Sequence, residues 1–398
     1  MTADRVHVVI AGAGVAGLET ALALDALARE FVTVELIAPE RTFTYRPLAV
    51  AEPFQMGEVR RFPLDRLVRS AGAELREGSL VGVDADEKRV LLGDGGSVAY
   101  DMLVLALGGR PREAVSGALT FRGPEDWSAL ADLLERVTAG ELRRLVFAAP
   151  AGASWPLPLY ELAFLSSAYL SEHLTRGVEI VIVTPEDRPL AVFGPAASEA
   201  IFELLELREI RVEAATTARA FTGGTLVCEN GHELQADAVI ALPELEGPPI
   251  DGVPQDESGF VATDELGGVR GLSDVYAAGD LTRSPIKQGG LAAQQADAVA
   301  TAIAADAGAP VRPAAYTPVL RGLLLTGLVP RYIRSEGSTS VVDTQPLWWP
   351  PAKIVGRYLS PFLAEHLGLA TSLPEPPNEA VPVEIALDTR DHASWSAV

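Results

Sequence analysis

What this chain has little of narrows its chemistry first. It holds a single cysteine, Cys228, so no disulfide can form within the chain and no cysteine-based metal cluster can be built. Lysine is nearly as scarce, with only Lys88, Lys287 and Lys353 beside many arginines. Positive charge as a whole is outnumbered, 32 basic against 54 acidic residues for a net charge of −22. That balance argues against nucleic acid and against anionic membrane surfaces, both of which attract basic patches; it reads first as a device for solubility. No stretch approaches the roughly 18 uninterrupted apolar residues of a transmembrane helix. The opening MTADRVHVV lacks a basic start, an apolar core and a small-residue cleavage site, so no secretory signal is expected and a cytoplasmic location is.

What is present is ample apolar material, 48% of 398 residues, enough for two or three domains. The chain is organised around VHVVIAGAGVAGLETALAL, Val6 to Leu24. A β-branched run is followed at once by Gly12, Gly14 and Gly17, then by Ala and Leu at helical spacing. This predicts the strand, glycine turn and helix of a dinucleotide-binding unit. Gly12 permits the tight turn, Gly14 lets backbone approach a pyrophosphate, and Gly17 lets the helix pack on the sheet. The phosphates would then meet unpaired N–H groups at the positive end of the helix. Val32 to Ala38 predicts the next strand; its end offers Glu40 for a ribose, with a solvated loop carboxylate as the equal alternative. Thr44 to Pro47 starts a loop and helix placed to cross above a bound ligand. Further on, a GDGG hairpin turn and Asp101 precede an apolar strand, Met102 to Leu107, ended by Gly108 and Gly109.

The plan then repeats. Arg144 to Ala149, Tyr160 to Leu170, Val178 to Thr184 and Ser198 to Leu207 read as strand, helix, strand, helix, and an Asn-Gly hairpin with Asp237 before an apolar strand matches the Asp101 segment. The phosphate turn is missing from this second unit. Between its first strand and helix lies PAGASWPLP, in which Trp155 or Leu159 stands where the third glycine belongs, and three prolines remove N–H donors. A nicotinamide dinucleotide is therefore not expected there. After a linker, LSDVYAAGDLTRSPIKQGGLAAQQADAVATAI predicts a short strand, Gly279-Asp280, a turn and a helix from about Gly290. Asp280 can hold a polyol hydroxyl, and the helix N-terminus with Lys287 would favour the electron-rich edge of a reduced flavin; a salt-bridged surface lysine is the alternative. From Val311 on, VLRGLLLTGLV predicts one or two strands, and LWWPPAKIVGRYLSPFLAEHL an aromatic loop and a short helix interrupted near Pro361. The Pro- and Glu-rich tail after Leu373 is expected to wrap loosely.

Three motifs, GAGVAG (Gly12 to Gly17), LVLALG (Leu103 to Gly108) and VYAAGD (Val275 to Asp280), together with PIKQGGLAAQQA, make the chain resemble the pyridine nucleotide-disulfide oxidoreductase superfamily. Within it the chain looks most like the branch of sulfide:quinone oxidoreductases, flavocytochrome c sulfide dehydrogenases and type II NADH dehydrogenases, over roughly residues 5 to 365. The resemblance implies FAD as cofactor and an α/β fold: two three-layer, Rossmann-like domains with parallel sheets, each carrying a β-hairpin, plus a small C-terminal domain. It implies an FAD domain from residues 1–111 and 246–312, a degenerate second domain at 112–245, and a C-terminal domain at 313–398. By it Gly12, Ala13, Gly14, Ala16 and Gly17 would take the pyrophosphate and Glu40 the ribose. Pro47, Val81, Ala106 and Gly108 would line the cofactor. Gly279 and Asp280 would hold the ribitol chain, and Lys287, Gln288, Gly289, Gly290 and Leu291 the pyrimidine edge.

The departures matter as much. The loop where sulfide oxidisers carry a redox cysteine matches Trp155 to Glu161 here, with Trp155 in the cysteine's place. Cys228 falls in the second unit's hairpin, far from a flavin face, and reads as a small buried hydrophobe. Thiolate sulfur chemistry is thus excluded. Glu161 and Lys287 are the candidate catalytic residues. Glu161 would be a carboxyl of raised pKa relaying protons to flavin or quinone, with a helix-start acid facing the dipole as the equal alternative. Trp348 and Trp349 would pack the C-terminal core rather than shape an acceptor pocket. Three readings follow: an FAD oxidoreductase serving a small-molecule, quinone-like or protein acceptor; an NAD(P)H-dependent flavin reductase; and a degenerate FAD protein with a structural role. The first is preferred. A membrane partner is not expected, since no basic amphipathic helix stands near the C-terminus, and a homodimer is left open.

Overall fold

The computed structural model describes residues 5–366, so the tail expected to wrap loosely lies outside the described residues. Two five-stranded, all-parallel sheets form its centre. In the first, the strands run Val275–Ala277, Met102–Leu105, Val6–Ala11, Val32–Ala38 and Glu74–Glu77 across the sheet. The second has the order Leu119–Thr120, Ala238–Ala241, Arg144–Ala148, Glu179–Val183 and Ile210–Glu213. In each sheet the first βα unit's strand occupies the centre, flanked by its own second strand and by the strand that follows a hairpin. That parallel arrangement requires helical crossovers on both faces, and it explains why the strands read as unbroken apolar runs.

The helices are α1 (Val15–Ala28), α2 (Leu64–Ser70), α3 (Trp127–Thr138), α4 (Leu157–Glu172), α5 (Pro195–Leu207), α6 (Gly289–Asp306) and α7 (Leu359–His366). Of these α2 and α3 were not anticipated. Helix α4 begins three residues before the expected Tyr160, because Pro158 sits in its first turn, where a missing N–H costs nothing. Helix α7 tolerates Pro361 for the same reason and is not interrupted there. The stretch from Thr44 does not go straight into a helix: Thr42–Tyr45 is a strand, and Arg46–Leu48 makes one 3₁₀ turn.

The repeat seen in the sequence has a mechanical counterpart. Asp101 accepts the backbone N–H of His7 at 2.7 Å, at the start of the central strand of its sheet. Asp237 does the same in the other sheet, accepting the N–H groups of Arg143 at 2.6 Å and Arg144 at 2.9 Å, and these amides lower its pKa. Each unit also carries a three-stranded antiparallel sheet, 80–99 in the first and 218–235 in the second. Cys228 is buried in the latter. The two chain crossings between the large sheets pair with one another, Arg110–Arg112 antiparallel to Glu244–Glu246.

A third three-stranded antiparallel sheet, Leu320–Leu324, Arg331–Glu336 and Thr339–Asp343, follows α6. Trp348 packs edge-on against Tyr332 of this sheet, ring centroids 5.1 Å apart, and donates its indole N–H to Ala352. No helix among the described residues is long and apolar enough to cross a membrane.

Candidate active site

The glycine turn is held by close backbone contact. Gly12 has φ +107°, and a Cβ there would overlap the carbonyl of Ala106. A Cβ on Gly17 would overlap the Gly12 carbonyl oxygen, so α1 can approach the sheet only with glycine at that position. Gly14 differs: it is exposed and has open space where a side chain would stand. It precedes the first turn of α1, whose initial N–H groups have no side-chain cap. Ala13 flanks the open space and Ala16 lies in that first turn.

The VYAAGD motif, far along the chain, arrives at the same place. Gly279, at φ +81°, sits with its α-carbon against Ala16 and Ala292, so that a Cβ would lie 3.1 Å from the Ala16 methyl. Asp280 follows at the start of a 3₁₀ turn beside the α1 N-terminus. It is partly buried, burial raises its pKa against the pull of Lys287, and its carboxylate accepts no hydrogen bond among the described residues. The arrangement meets what FAD requires: an uncapped helix end with room before it, and beside it an orphaned carboxylate suited to a polyol hydroxyl. Glu40 is exposed at the end of its strand. Val81 is 44% exposed in the three-stranded sheet, its carbonyl taking the amide of Asp251, and Gly108, at φ +70°, faces open space.

Lys287 is not a surface lysine. Its side chain is buried, donates to the carbonyl of Thr282 and stands 3.5 Å over the ring of Phe260. Burial pushes its pKa down to about 8, against the charges of Asp280 and Asp256. Next to it Gln288 caps α6, accepting the N–H of Leu291 at 2.8 Å and donating to the carbonyl of Arg321 at 3.1 Å. The Leu291 amide is thereby used inside the protein, while those of Gly289 and Gly290 have no partner within the helix.

A cavity of about 270 Å³ opens here, with Pro47, Lys287, Gln288 and Gly289 on one side and Trp155 and Glu161 of the second unit on another. Glu161 proves not to be a helix-start acid serving the dipole. It lies in the second turn of α4, fully buried, and both its oxygens take the ammonium of Lys353, at 2.6 and 2.7 Å. One oxygen also accepts the N–H of Leu325 at 2.9 Å. Burial drives its pKa up, opposed chiefly by Lys353. The sequence offered no motif for Lys353; its rarity as one of three lysines was the one signal. It belongs to a strap, Lys353 to Leu359, tied at two further points. The Ile354 N–H donates to the Tyr45 hydroxyl at 3.0 Å, and the N–H groups of Tyr358 and Leu359 donate to Glu19 of α1 at 2.9 and 2.7 Å. Trp348 and Trp349 do not line the cavity.

The second unit's turn differs from the first in three ways. The first turn of α4 is occupied by buried Leu157 and Leu159 with Pro158 between them, and Trp155 packs edge-on against Phe193, 5.7 Å away. The carboxylate of Glu244, ion-paired with Arg112, rests against Gly152, so that a Cβ there would have to push it aside. Glu186, just past the Glu179–Val183 strand, is turned inward: it accepts from the Tyr160 hydroxyl at 2.7 Å, from Thr184 at 3.1 Å and from the Ala191 amide at 3.1 Å.

Comparison with known proteins agrees with this architecture. A family model described as pyridine nucleotide-disulphide oxidoreductase matches residues 6–144 and 165–302. The ferredoxin–NAD(+) reductase component of the biphenyl dioxygenase system of Paraburkholderia xenovorans (strain LB400) is 27% identical over 300 residues, covering 71% of this chain and 69% of that protein. The sulfide:quinone oxidoreductase of Aquifex aeolicus superposes with a TM-score of 0.76 at 20% identity, over 86% of this chain and 87% of that one. NDH2 of Plasmodium falciparum, solved in complex with NADH, gives 0.67 at 13% identity over 92% and 95%. At such identities the two structures share the fold alone.

Proposed function

The chain belongs to the pyridine nucleotide-disulphide oxidoreductase family, and from that premise we propose a flavoenzyme that passes two electrons between a donor other than NAD(P)H and a quinone-like or protein acceptor. Family membership makes it an FAD-dependent oxidoreductase. The observation that carries the rest is the carboxylate of Glu244 lying against Gly152, where a second dinucleotide would need its pyrophosphate. That side chain, paired with Arg112, occupies the approach to the turn, and the buried leucines and Pro158 of α4 leave few amides for a phosphate.

In this reading residues 1–111 and 246–312 form the FAD domain, 112–245 the degenerate one and 313–398 the C-terminal one. The open turn at Gly12, Ala13, Gly14, Ala16 and Gly17 holds the pyrophosphate, Glu40 a ribose, and Gly279 with Asp280 the ribitol. Pro47, Val81, Ala106 and Gly108 line the cofactor. When bound, FAD supplies an isoalloxazine ring able to store two electrons. Lys287 places a cation at its pyrimidine edge together with the amides of Gly289 and Gly290, and Gln288 and Leu291 fix the helix end that presents them. Glu161, a carboxylate paired with Lys353 at rest, would take up and return a proton beside the cavity. With Trp155 in place of a cysteine, no sulfur is carried covalently.

The ferredoxin–NAD(+) reductase relative favours a second reading, in which NADH is the donor. An anaerobic titration of the FAD-loaded protein with NADH and then NADPH separates the two. We expect the flavin absorbance to persist; bleaching by either nucleotide would establish a nicotinamide donor and overturn the first reading.

A further inference from the structure

In a chain with 22 more acidic than basic residues, the wall that carries Lys287, Gln288 and Gly289 gathers five cations, Arg46, Arg122, Lys287, Arg321 and Lys353, against one carboxylate, Glu161. Four of the cations have partners inside the protein. Arg46 pairs with Glu125 at 3.4 Å, Arg122 with Asp126 at 3.1 Å and Lys353 with Glu161, while the Lys287 ammonium is held by the Thr282 carbonyl over the Phe260 ring. The guanidinium of Arg321 has neither ion pair nor hydrogen bond among the described residues, and Arg334 faces it across the antiparallel register. Like charges opposed across a strand pair are destabilising. Partial burial and Arg334 both lower the Arg321 pKa against the pull of Glu336, yet a guanidinium keeps its charge.

Backbone contacts fix this charge at the flavin end of the site. The Arg321 carbonyl accepts the side-chain amide of Gln288 at 3.1 Å. Gln294, in the second turn of α6, donates to the Val319 carbonyl and accepts the Val319 N–H, both at 2.9 Å. The Leu320–Leu324 strand is thereby tied to the helix end whose Gly289 and Gly290 amides face the pyrimidine edge in the proposed reading. FAD brings two groups that can be negative: the pyrophosphate, which the α1 turn takes, and the ring itself once reduced. The oxidised ring is neutral. Taking up two electrons and one proton, the proton at N5, leaves it with one negative charge spread over N1 and the C2 oxygen of the pyrimidine edge. A cation already fixed in place stabilises such a charge without reorganising when it appears.

We infer that Arg321 is the charge partner of the reduced flavin: its guanidinium stands at the pyrimidine edge and favours the two-electron-reduced anion over the neutral oxidised ring. Lys287, whose ammonium is committed to Thr282 and Phe260, adds its charge from a held position. The inference rests on reading this wall as the flavin site, and it holds whichever molecule reduces the ring.

The test is the equilibrium between the FAD-loaded protein and a redox dye of known potential, reduced stepwise without oxygen. Arg321→Met and Arg321→Gln should each lower the ratio of reduced to oxidised flavin at a given dye potential at least tenfold, about 30 mV for a two-electron couple, and Arg321→Lys less. The parent should take up one proton per two electrons. The two neutral variants should take up a second at mildly acid pH, seen as a steeper dependence of the potential on pH. Affinity for oxidised FAD and the melting temperature of the oxidised holoprotein should not fall, since the substitution removes a repulsion and the oxidised ring carries no charge for Arg321 to meet. An unshifted ratio in both neutral variants would overturn the assignment. So would a weakening of oxidised FAD as large as the shift, which would give Arg321 to the pyrophosphate. A chain that takes up no FAD at all would refute the flavin site itself, and this inference with it.

Discussion

Glu161 and Lys353 show how far a residue's meaning depends on a partner distant in sequence. A carboxylate with no exposure would be untenable alone; an ammonium 2.6 Å away, itself buried, together with the Leu325 amide, makes it tenable. Such a pair owes little of its worth to attraction, since both charges were taken from water, but removing one partner strands the other. Replacing Lys353 by Met should therefore destabilise the protein by about 3–5 kcal/mol in urea unfolding. The double variant Glu161→Leu, Lys353→Met should recover most of that loss. A double variant as unstable as the single one would show that the site is held by shape rather than by charge pairing. Reading Glu161 as a candidate needed only its place in the α4 segment; its true partner, 192 residues further on, could not be seen from sequence spacing.

At the scale of elements, the two strand–turn–helix units began from the same plan and diverged at their turns. In the first, Gly12 abuts the Ala106 carbonyl and Gly17 the Gly12 carbonyl, whereas Gly14 faces open space. This separates structural from binding glycines by experiment. Gly17→Ala forces α1 off the sheet and should lower stability by a few kcal/mol, the cost of overpacking a tight contact. Gly14→Ala should leave the melting temperature of the FAD-free protein unchanged while weakening FAD binding at least tenfold, read by flavin fluorescence on dilution. Equal losses of apoprotein stability in both variants would refute the division. In the second unit, α4 turns the apolar side chains of Leu157 and Leu159 into the same corner, where they are buried. The sequence made this divergence legible, since prolines and a tryptophan stand where the first unit has glycines. It did not reveal Glu244, which reaches the turn only because the two crossing segments pair.

For the molecule as a whole, the strap from Lys353 to Leu359 is the tie between parts. Its C-terminal anchor is Glu19, fully buried in α1, which receives the first amides of α7. Burial raises the Glu19 pKa from 4.5 to about 7, with Asp297 of α6 adding to the rise and the amides of Arg357, Tyr358 and Leu359 opposing it; Arg357 in turn stands 3.9 Å from Asp297. The folded protein thus holds a proton that the unfolded chain releases near 4.5. Below that pH both states carry it and Glu19 has no differential effect. Between 4.5 and 7 stability falls as pH rises, and above 7 the loss is complete, at about 3 kcal/mol. Urea unfolding of the parent and of Glu19→Gln at pH 5 and pH 8 should show their stability difference shifting by about that amount in favour of the variant at the higher pH. A difference independent of pH would mean that Glu19 stays ionised in the fold.

By itself the sequence determined the two parallel α/β units, the open glycine turn of the first, its replacement by prolines and a tryptophan in the second, and the single cysteine placed in a hairpin. These depend on local rules: alternating or continuous apolar runs, glycine where backbone must come close, and residue types that either can or cannot supply a donor. Tertiary structure alone decided which charges meet. Glu161 with Lys353, Glu19 with the start of α7 and Glu244 with Arg112 are each set by packing between segments far apart in the chain. A charge acquires a role from whatever neutralises it or leaves it exposed a few ångströms away, and that neighbour is chosen by the fold.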